Sequence, residues 1–103
     1  SKLSYAEAKI KASYLAQEGI EYARNIRDNY IFYSTTTGYG WDDFVALANL
    51  NYPSEYPDFT RTITKIVDLS NPNEVKITSD VSWIQGSGPH NVILTEHLFN
   101  WVE

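Results

Sequence analysis

The run ASYLAQEGIEYARNIRD at residues 12–28 decides the fold, because its apolar residues recur at steps of three and four. This spacing places them along one face of an α-helix, with Glu18, Glu21 and Arg24 on the other faces. We call this face the apolar stripe and predict that it packs the helix or assembles it with a partner. The apolar stripe comprises Ala12, Leu15, Ala16, Gly19, Tyr22, Ala23 and Ile26, and Tyr30 continues it.

Towards the amino terminus the sequence stays helical in composition, since residues 4–11 are rich in Ala, Lys and Glu. We therefore predict one helix over residues 1–30, which would be about 40 Å long. A compact domain of this size is shorter than that, so part of the helix is expected to project from it or to belong to another packing partner. Gly19 lies on the apolar stripe, where it favours close approach of another element.

Residues 31–58 form the least regular part of the chain, and we predict a variable loop containing one short helix. The run TTTGYG at residues 35–40 has loop composition. Asp42 or Asp43 is placed to cap a short helix that ends at about Leu50. Aromatic residues are frequent here, and five of them are candidates for surface contacts: Tyr33, Tyr39, Trp41, Tyr52 and Tyr56.

The remaining residues, 59–103, carry the alternation of a half-buried sheet. Strands are predicted at 59–67, at about 75–83 and at 90–101, with the turn-rich links SNPN and GSG between them. Short links favour antiparallel neighbours. The predicted fold is α+β, one long helix packed through its carboxy-terminal half on a three- to four-stranded antiparallel meander, in a single domain of 103 residues.

Composition excludes several classes of function. The formal net charge of −5 argues against nucleic-acid binding, which needs clustered Lys and Arg. The chain has no cysteine, which excludes disulfides, thiolate metal sites and cysteine nucleophiles. It also contains no apolar run of the length that a membrane-spanning helix requires.

No catalytic or cofactor site is predicted. His90 and His97 have no spaced nucleophile or orienting acid, so an enzyme is not expected. The glycines of the TTTGYG and GSG runs lack the Lys-Ser/Thr ending of a phosphate loop. Residues 68–74 cluster oxygen ligands, so calcium remains an alternative to a simple hairpin turn there.

Two parts of the chain resemble a known family. The segment ASYLAQEGIE at residues 12–21, followed by RNIRD at 24–28, resembles the end of the long helix in bacterial type IV pilins and pseudopilins. The minor, pilus-modification type is the most similar. FTRTI at 59–63, VKIT at 75–78, VSW at 81–83 and VILT at 92–95, closing with LFNW at 98–101, resemble the three terminal strands of that group.

The resemblance implies a non-enzymatic structural subunit of a type IV pilus, or of a related secretion or competence filament. A short basic leader, a processing site and an apolar helix half are then expected upstream of Ser1. That half would anchor the precursor in the inner or cytoplasmic membrane and later pack in the core of a filament at the cell surface. Its partners would be other pilin subunits and the assembly machinery, and no cofactor is implied.

Another interpretation of the same sequence needs no filament. A free-standing helix-on-sheet module would use the aromatic residues of the 31–58 loop to bind a ligand or a peptide. It predicts a compact helix and a concave aromatic site, whereas the filament subunit predicts a long helix with an overhanging start.

Overall fold

The computed structural model describes residues 3–101 as a helix packed on a sheet. Its elements follow in the order α1 (Tyr5–Phe32), α2 (Ser34–Thr37), α3 (Trp41–Ala46), β1 (Thr60–Val67), β2 (Glu74–Gln85) and β3 (Gly88–Phe99). The predicted α+β class is therefore confirmed. Within the described residues the sheet has three strands, so the upper limit of four in the prediction was too high.

The long helix begins with a capping box. The Ser4 hydroxyl accepts a hydrogen bond from the Glu7 backbone N–H at 3.1 Å, and the Glu7 carboxylate accepts one from the Ser4 backbone N–H at 2.9 Å. These two bonds satisfy backbone donors that a helix start leaves unpaired. The helix starts at Tyr5 and continues two residues past the predicted end at residue 30.

The sheet is a meander in the order β1-β2-β3, with both pairs antiparallel. Thr60 lies opposite Ser82, and Glu74 lies opposite Phe99. The turn between β2 and β3 has only two residues, and Gly86 occupies the left-handed region there with φ of +63°. Residues at odd positions of β2, from Val75 to Trp83, face the helix and are buried.

Two hydrophobic clusters join the helix to the sheet along its whole described length. One contains Ala8, Ala12 and Trp83, and the other contains Ala23, Ile77 and Leu98. The predicted overhang of the helix start, and the restriction of the sheet to its carboxy-terminal half, were therefore wrong for the described residues. The reason is length: twelve-residue strands extend about 40 Å, close to the about 42 Å of a 28-residue helix.

The middle segment is more helical than predicted. The threonine run expected to be loop forms α2, which ends at Gly38 with φ of +81°. The next helix starts at Trp41 and ends at Ala46, well short of Leu50. Its N-cap is Gly40, and Asp43 acts from within the first turn by accepting a hydrogen bond from the Gly40 N–H at 2.8 Å.

Side-chain cations from β1 fix this segment to the core. The Lys65 Nζ donates to the carbonyls of Phe44 and Leu47, each at 2.6 Å, at the end of α3 where carbonyls lack helical partners. Arg61 is buried and donates to the carbonyls of Tyr52 and Pro53. Without regular structure of its own, residues 47–58 are thus held against the domain.

Candidate interaction surfaces

The apolar stripe is used inside the monomer. Five of its seven residues are buried against the sheet, and Tyr22 and Ile26 are half-buried. Helix packing, one of its two predicted roles, is what the structure places there. The other predicted role, contact with a partner subunit, needs an exposed face, and five of these seven side chains are buried in the monomer.

A second apolar row lies on the opposite side of α1. Ala6, Ile10 and Tyr14 follow one another at four-residue steps and are exposed, Ile10 to 59% and Tyr14 to 72%. Ile10 and the buried Ala12 are two residues apart, so their side chains point about 200° apart on the helix. We call these three residues the outward ridge.

Polar residues replace apolar ones on this side of α1 beyond Tyr14. Gln17, Glu21 and Asn25 are exposed there. This side of α1 therefore carries no exposed large apolar side chain over residues 15–31, and an apolar residue returns to it only at the exposed Phe32, 18 residues after Tyr14. Beside it, a groove of about 590 Å³ runs between α1 and Tyr56, with the Lys11 ammonium 3.9 Å from the centre of the Tyr56 ring. Sequence reasoning missed the outward ridge, although its four-residue spacing is present in the sequence.

The five aromatic residues predicted for surface contacts separate into two groups. Tyr33, Tyr39 and Tyr56 are exposed, as a surface contact requires, and the contact itself stays a prediction. Trp41 is only 6% exposed, and its indole N–H donates to the Pro72 carbonyl at 2.7 Å, so its assignment to the surface was wrong. Tyr52 is half-buried and stacks on Tyr22, with ring centres 4.4 Å apart.

Two of the exposed tyrosines line a cleft at the end of α1. Its walls are Asn29, Tyr30, Tyr33, Thr37 and Tyr39, and its volume is about 410 Å³. We call it the aromatic cleft. Sequence reasoning named Tyr33 and Tyr39 but did not connect them with Asn29, because the chain reversal at Gly38 that brings them together is a feature of the fold.

At the other end of the molecule, a groove of about 770 Å³ lies beside the last residues of β2. Leu3, Phe59, Trp83 and Ile84 are among its lining residues. β2 extends three residues past Ser82, the partner of the first residue of β1, so its edge is open on that side. Ile84 is largely exposed on the outer face of the sheet there.

The two histidines lie on opposite faces of β3, since they are an odd number of positions, seven, apart along the strand. His90 packs against the rings of Tyr5 and Trp83, with centres 5.1 Å and 5.5 Å away. His97 pairs with Glu74 on the outer face, where Nδ1 and Oε1 are 2.6 Å apart. The structure therefore does not bring them together in one site.

The candidate calcium turn is closed by its own hydrogen bonds. Asp68 Oδ1 accepts from the Ser70 hydroxyl at 2.7 Å and from the Ser70 N–H at 2.9 Å. The hydrogen bond from the Ser70 hydroxyl, and to a smaller extent the one from the Ser70 N–H, lowers the pKa of the Asp68 carboxyl. Across residues 3–101 no three His, Asp or Glu side chains are grouped closely enough to hold a metal ion.

No family model, no curated protein and no solved structure matches this chain. Among the helices that the structure describes, none has the length and apolar character needed to cross a membrane.

Proposed function

We propose that this chain is a non-enzymatic subunit of a bacterial filament of the type IV pilin or pseudopilin kind, most similar to the minor, pilus-modification type. The observation that carries the proposal is the outward ridge of Ala6, Ile10 and Tyr14 on a helix whose opposite face is buried against the sheet. Such a helix has a second apolar side in its first third, which is polar from Gln17 to Asn25 and apolar again only at Phe32. A monomer needs only the buried side.

The arrangement of the helix suits packing between subunits. A row of residues at four-residue steps is one of the ridges that interlock when two helices cross. Covering Ile10 and Tyr14 would contribute about 1.5–3 kcal/mol for each side chain at every contact. The sheet behind α1 keeps the helix formed before assembly, so no ordering cost for the helix opposes this gain.

In this proposal the amino-terminal continuation of α1 anchors the precursor in the cytoplasmic or inner membrane and then enters the filament core. The outward ridge continues that core packing into the part of the helix described here. The polar positions Gln17, Glu21 and Asn25 mark where the helix leaves the core and faces solvent. The 31–58 segment and the outer face of the sheet then form the cell-surface side of the filament.

The experiment is intact mass and amino-terminal sequencing of the native protein, from sheared filaments and from membranes. We expect a methylated first residue followed by about 20 apolar residues, the length that spans a bilayer. Enrichment in the sheared fraction would identify a major subunit, and enrichment in membranes a minor one. A native protein that begins near Ser1 and appears in neither fraction would overturn the proposal.

One observation favours the second candidate, a free-standing binding module. That observation is the aromatic cleft, a shallow site lined by three tyrosine rings, since this alternative predicts an aromatic binding site. The same experiment separates the candidates, because a free-standing module needs no upstream apolar segment and no filament fraction.

A further inference from the structure

The aromatic cleft is formed by a tight reversal of the chain after α1. Tyr33 is the last cap of that helix, and its N–H donates to the Asn29 carbonyl at 3.1 Å. After the short helix α2, Gly38 adopts the left-handed conformation and the chain reverses direction there. Tyr39 therefore returns beside Tyr33, and the two rings face a common space of about 410 Å³.

Thr37 makes this reversal rigid. Its hydroxyl donates to the Tyr33 carbonyl at 3.0 Å and accepts from the Tyr39 N–H at 3.1 Å. A single side chain thus ties the backbones of both exposed tyrosines. Tyr30, the third ring, is half-buried and lies against Phe44, with centres 6.2 Å apart. A cleft held in this way loses little conformational entropy when a ligand enters.

Apart from the Thr37 hydroxyl, the polar side-chain groups that line the cleft make no hydrogen bonds within the described part of the protein. Within the described residues, the hydroxyls of Tyr30, Tyr33 and Tyr39 and the side-chain amide of Asn29 have no hydrogen-bond partner in the protein. No two of the three rings pack on each other, so they line the space and do not fill it. Tyr33 and Tyr39 are exposed to 58% and 60%, and no lining residue carries a charge.

We propose that the aromatic cleft binds a neutral hexose unit of a polysaccharide. A pyranose ring has an apolar C–H face, which suits a tyrosine ring, and an edge of hydroxyls that both donate and accept. Tyr hydroxyls and the Asn amide also do both. A proline-rich peptide, the other ligand of aromatic clefts, offers carbonyls that only accept, and it needs an extended groove.

This site does not depend on the filament proposal. Tyr30 lies about 30 Å along α1 from Ile10, so ligand at the cleft leaves the outward ridge free. It gives the free-standing module a ligand class, and it would equally give a filament subunit one. A test on the monomer therefore fails or succeeds separately from any test of assembly.

The experiment is an NMR titration of the 103-residue chain with three neutral probes: cellotriose, mannotriose and N-acetylchitotriose. Trigalacturonic acid and hexaproline are the charged and peptide comparators. We expect at least one neutral probe to produce saturable shifts in the amides of residues 29–39 and in the Asn29 side-chain NH₂. Loss of one stacking ring, in Tyr33→Ala or Tyr39→Ala, should weaken that binding by about tenfold.

The control is Ile84→Ala, which removes an apolar side chain that is also largely exposed but lies at the other end of the molecule. Its titration should match that of the unchanged chain, and all variants should keep the unchanged melting temperature. The proposal is overturned if no neutral probe, at a concentration of about 10 mM, shifts the amide signals of residues 29–39. A dissociation constant of about 10 mM corresponds to a binding free energy near −2.7 kcal/mol. Tighter binding of hexaproline or trigalacturonic acid, or binding that survives both tyrosine changes, would overturn it as well.

Discussion

Gly19 of α1 lies directly against Ser79 of the central strand. A Cβ placed on Gly19 would overlap the Ser79 hydroxyl oxygen and come within 3.0 Å of Arg61 Cδ. Ser79 is fully buried, and its hydroxyl has no hydrogen-bond partner within the described residues. The close approach of helix and sheet at this point therefore depends on a residue without a side chain.

Gly19→Ala should destabilise the domain by about 1 kcal/mol. Overpacking typically costs 1–3 kcal/mol, and about 1 kcal/mol of this is offset because Ala is the better helix former. Ser79→Ala should stabilise it by up to about 1 kcal/mol, since it removes an unpaired buried hydroxyl. Urea unfolding of both variants and of the double variant measures these effects.

The double variant should recover part of the loss, because the atom nearest to the new Cβ has been removed. Asn25→Ala is the control, an exposed helix position where only propensity changes. If Gly19→Ala proved as stabilising as Asn25→Ala, the contact between α1 and β2 would be looser than this geometry requires.

Arg61, a buried charged residue, should be sensitive to substitution. Its Nη1 donates to the Leu15 carbonyl at 2.8 Å and to Glu18 Oε1 at 2.7 Å, while Nη2 reaches Tyr52 and Pro53. Arg61→Ala should cost at least about 2 kcal/mol, because it removes several charge-assisted hydrogen bonds and leaves a gap beneath α1. Hydrogen exchange should accelerate most in residues 47–58, which this side chain holds.

Arg24→Ala is the matched control for that change. Arg24 also pairs with a helix carboxylate, Glu21 at 2.7 Å, but it is partly exposed. Its loss should cost under about 1 kcal/mol. Equal losses for the two variants would show that the backbone contacts of Arg61 contribute little beyond a surface ion pair.

Periodicity explains why much of this fold was predictable. The three-and-four spacing around Gly19 identifies α1, and the alternation from Val75 to Trp83 identifies β2 with its buried face. Neither pattern indicates how far the helix and the strands extend once they are packed together. The overhang was wrong because β2 and β3 extend to the start of α1, and their ends depend on pairing with each other.

Burial of polar and aromatic side chains was harder to predict. Trp41 follows a glycine-rich run that suggests exposure, yet it is buried in the core cluster with Ala23 and Val75, and its indole N–H donates to the Pro72 carbonyl. Arg61 occupies the inward phase of β1 together with Phe59 and Ile63. The alternation in the sequence already places Arg61 on the inward side of β1, but a charged residue is normally assigned to the surface.

The capping box should make the start of α1 sensitive to acid. Hydrogen bonds from the Ser4 backbone N–H, and secondly from its hydroxyl, hold the pKa of Glu7 below its ordinary 4.5. A depressed carboxyl pKa stabilises the fold above the unfolded value, and this contribution is lost as pH falls through the folded value. Glu7→Gln should therefore reduce stability at neutral pH.

The difference between Glu7→Gln and the unchanged chain should be smaller at about pH 3 than at about pH 7, because lowering the pH protonates the carboxyl first in the unfolded and then in the folded state. Urea unfolding at the two pH values measures it. Ser4→Ala should reduce the pH dependence without abolishing it, because the backbone N–H remains. A difference of equal size at both pH values would mean that Glu7 acts through shape and not through charge.

The outward ridge offers a test of assembly that leaves the fold alone. Ile10 and Tyr14 are exposed, so Ile10→Lys and Tyr14→Lys should change the stability of the monomer by no more than about 0.5 kcal/mol. In the proposed filament each change places a charge in a helix contact. It also removes about 1.5–3 kcal/mol of apolar burial, which weakens every contact by at least about tenfold. Filament yield from cells carrying the full-length gene should fall accordingly.

Gln17→Lys, one turn further on the same side of α1, should assemble normally because that position is already polar. Normal filaments from both ridge variants would show that the outward ridge is not part of the assembly contact, even if the native protein were recovered from filaments.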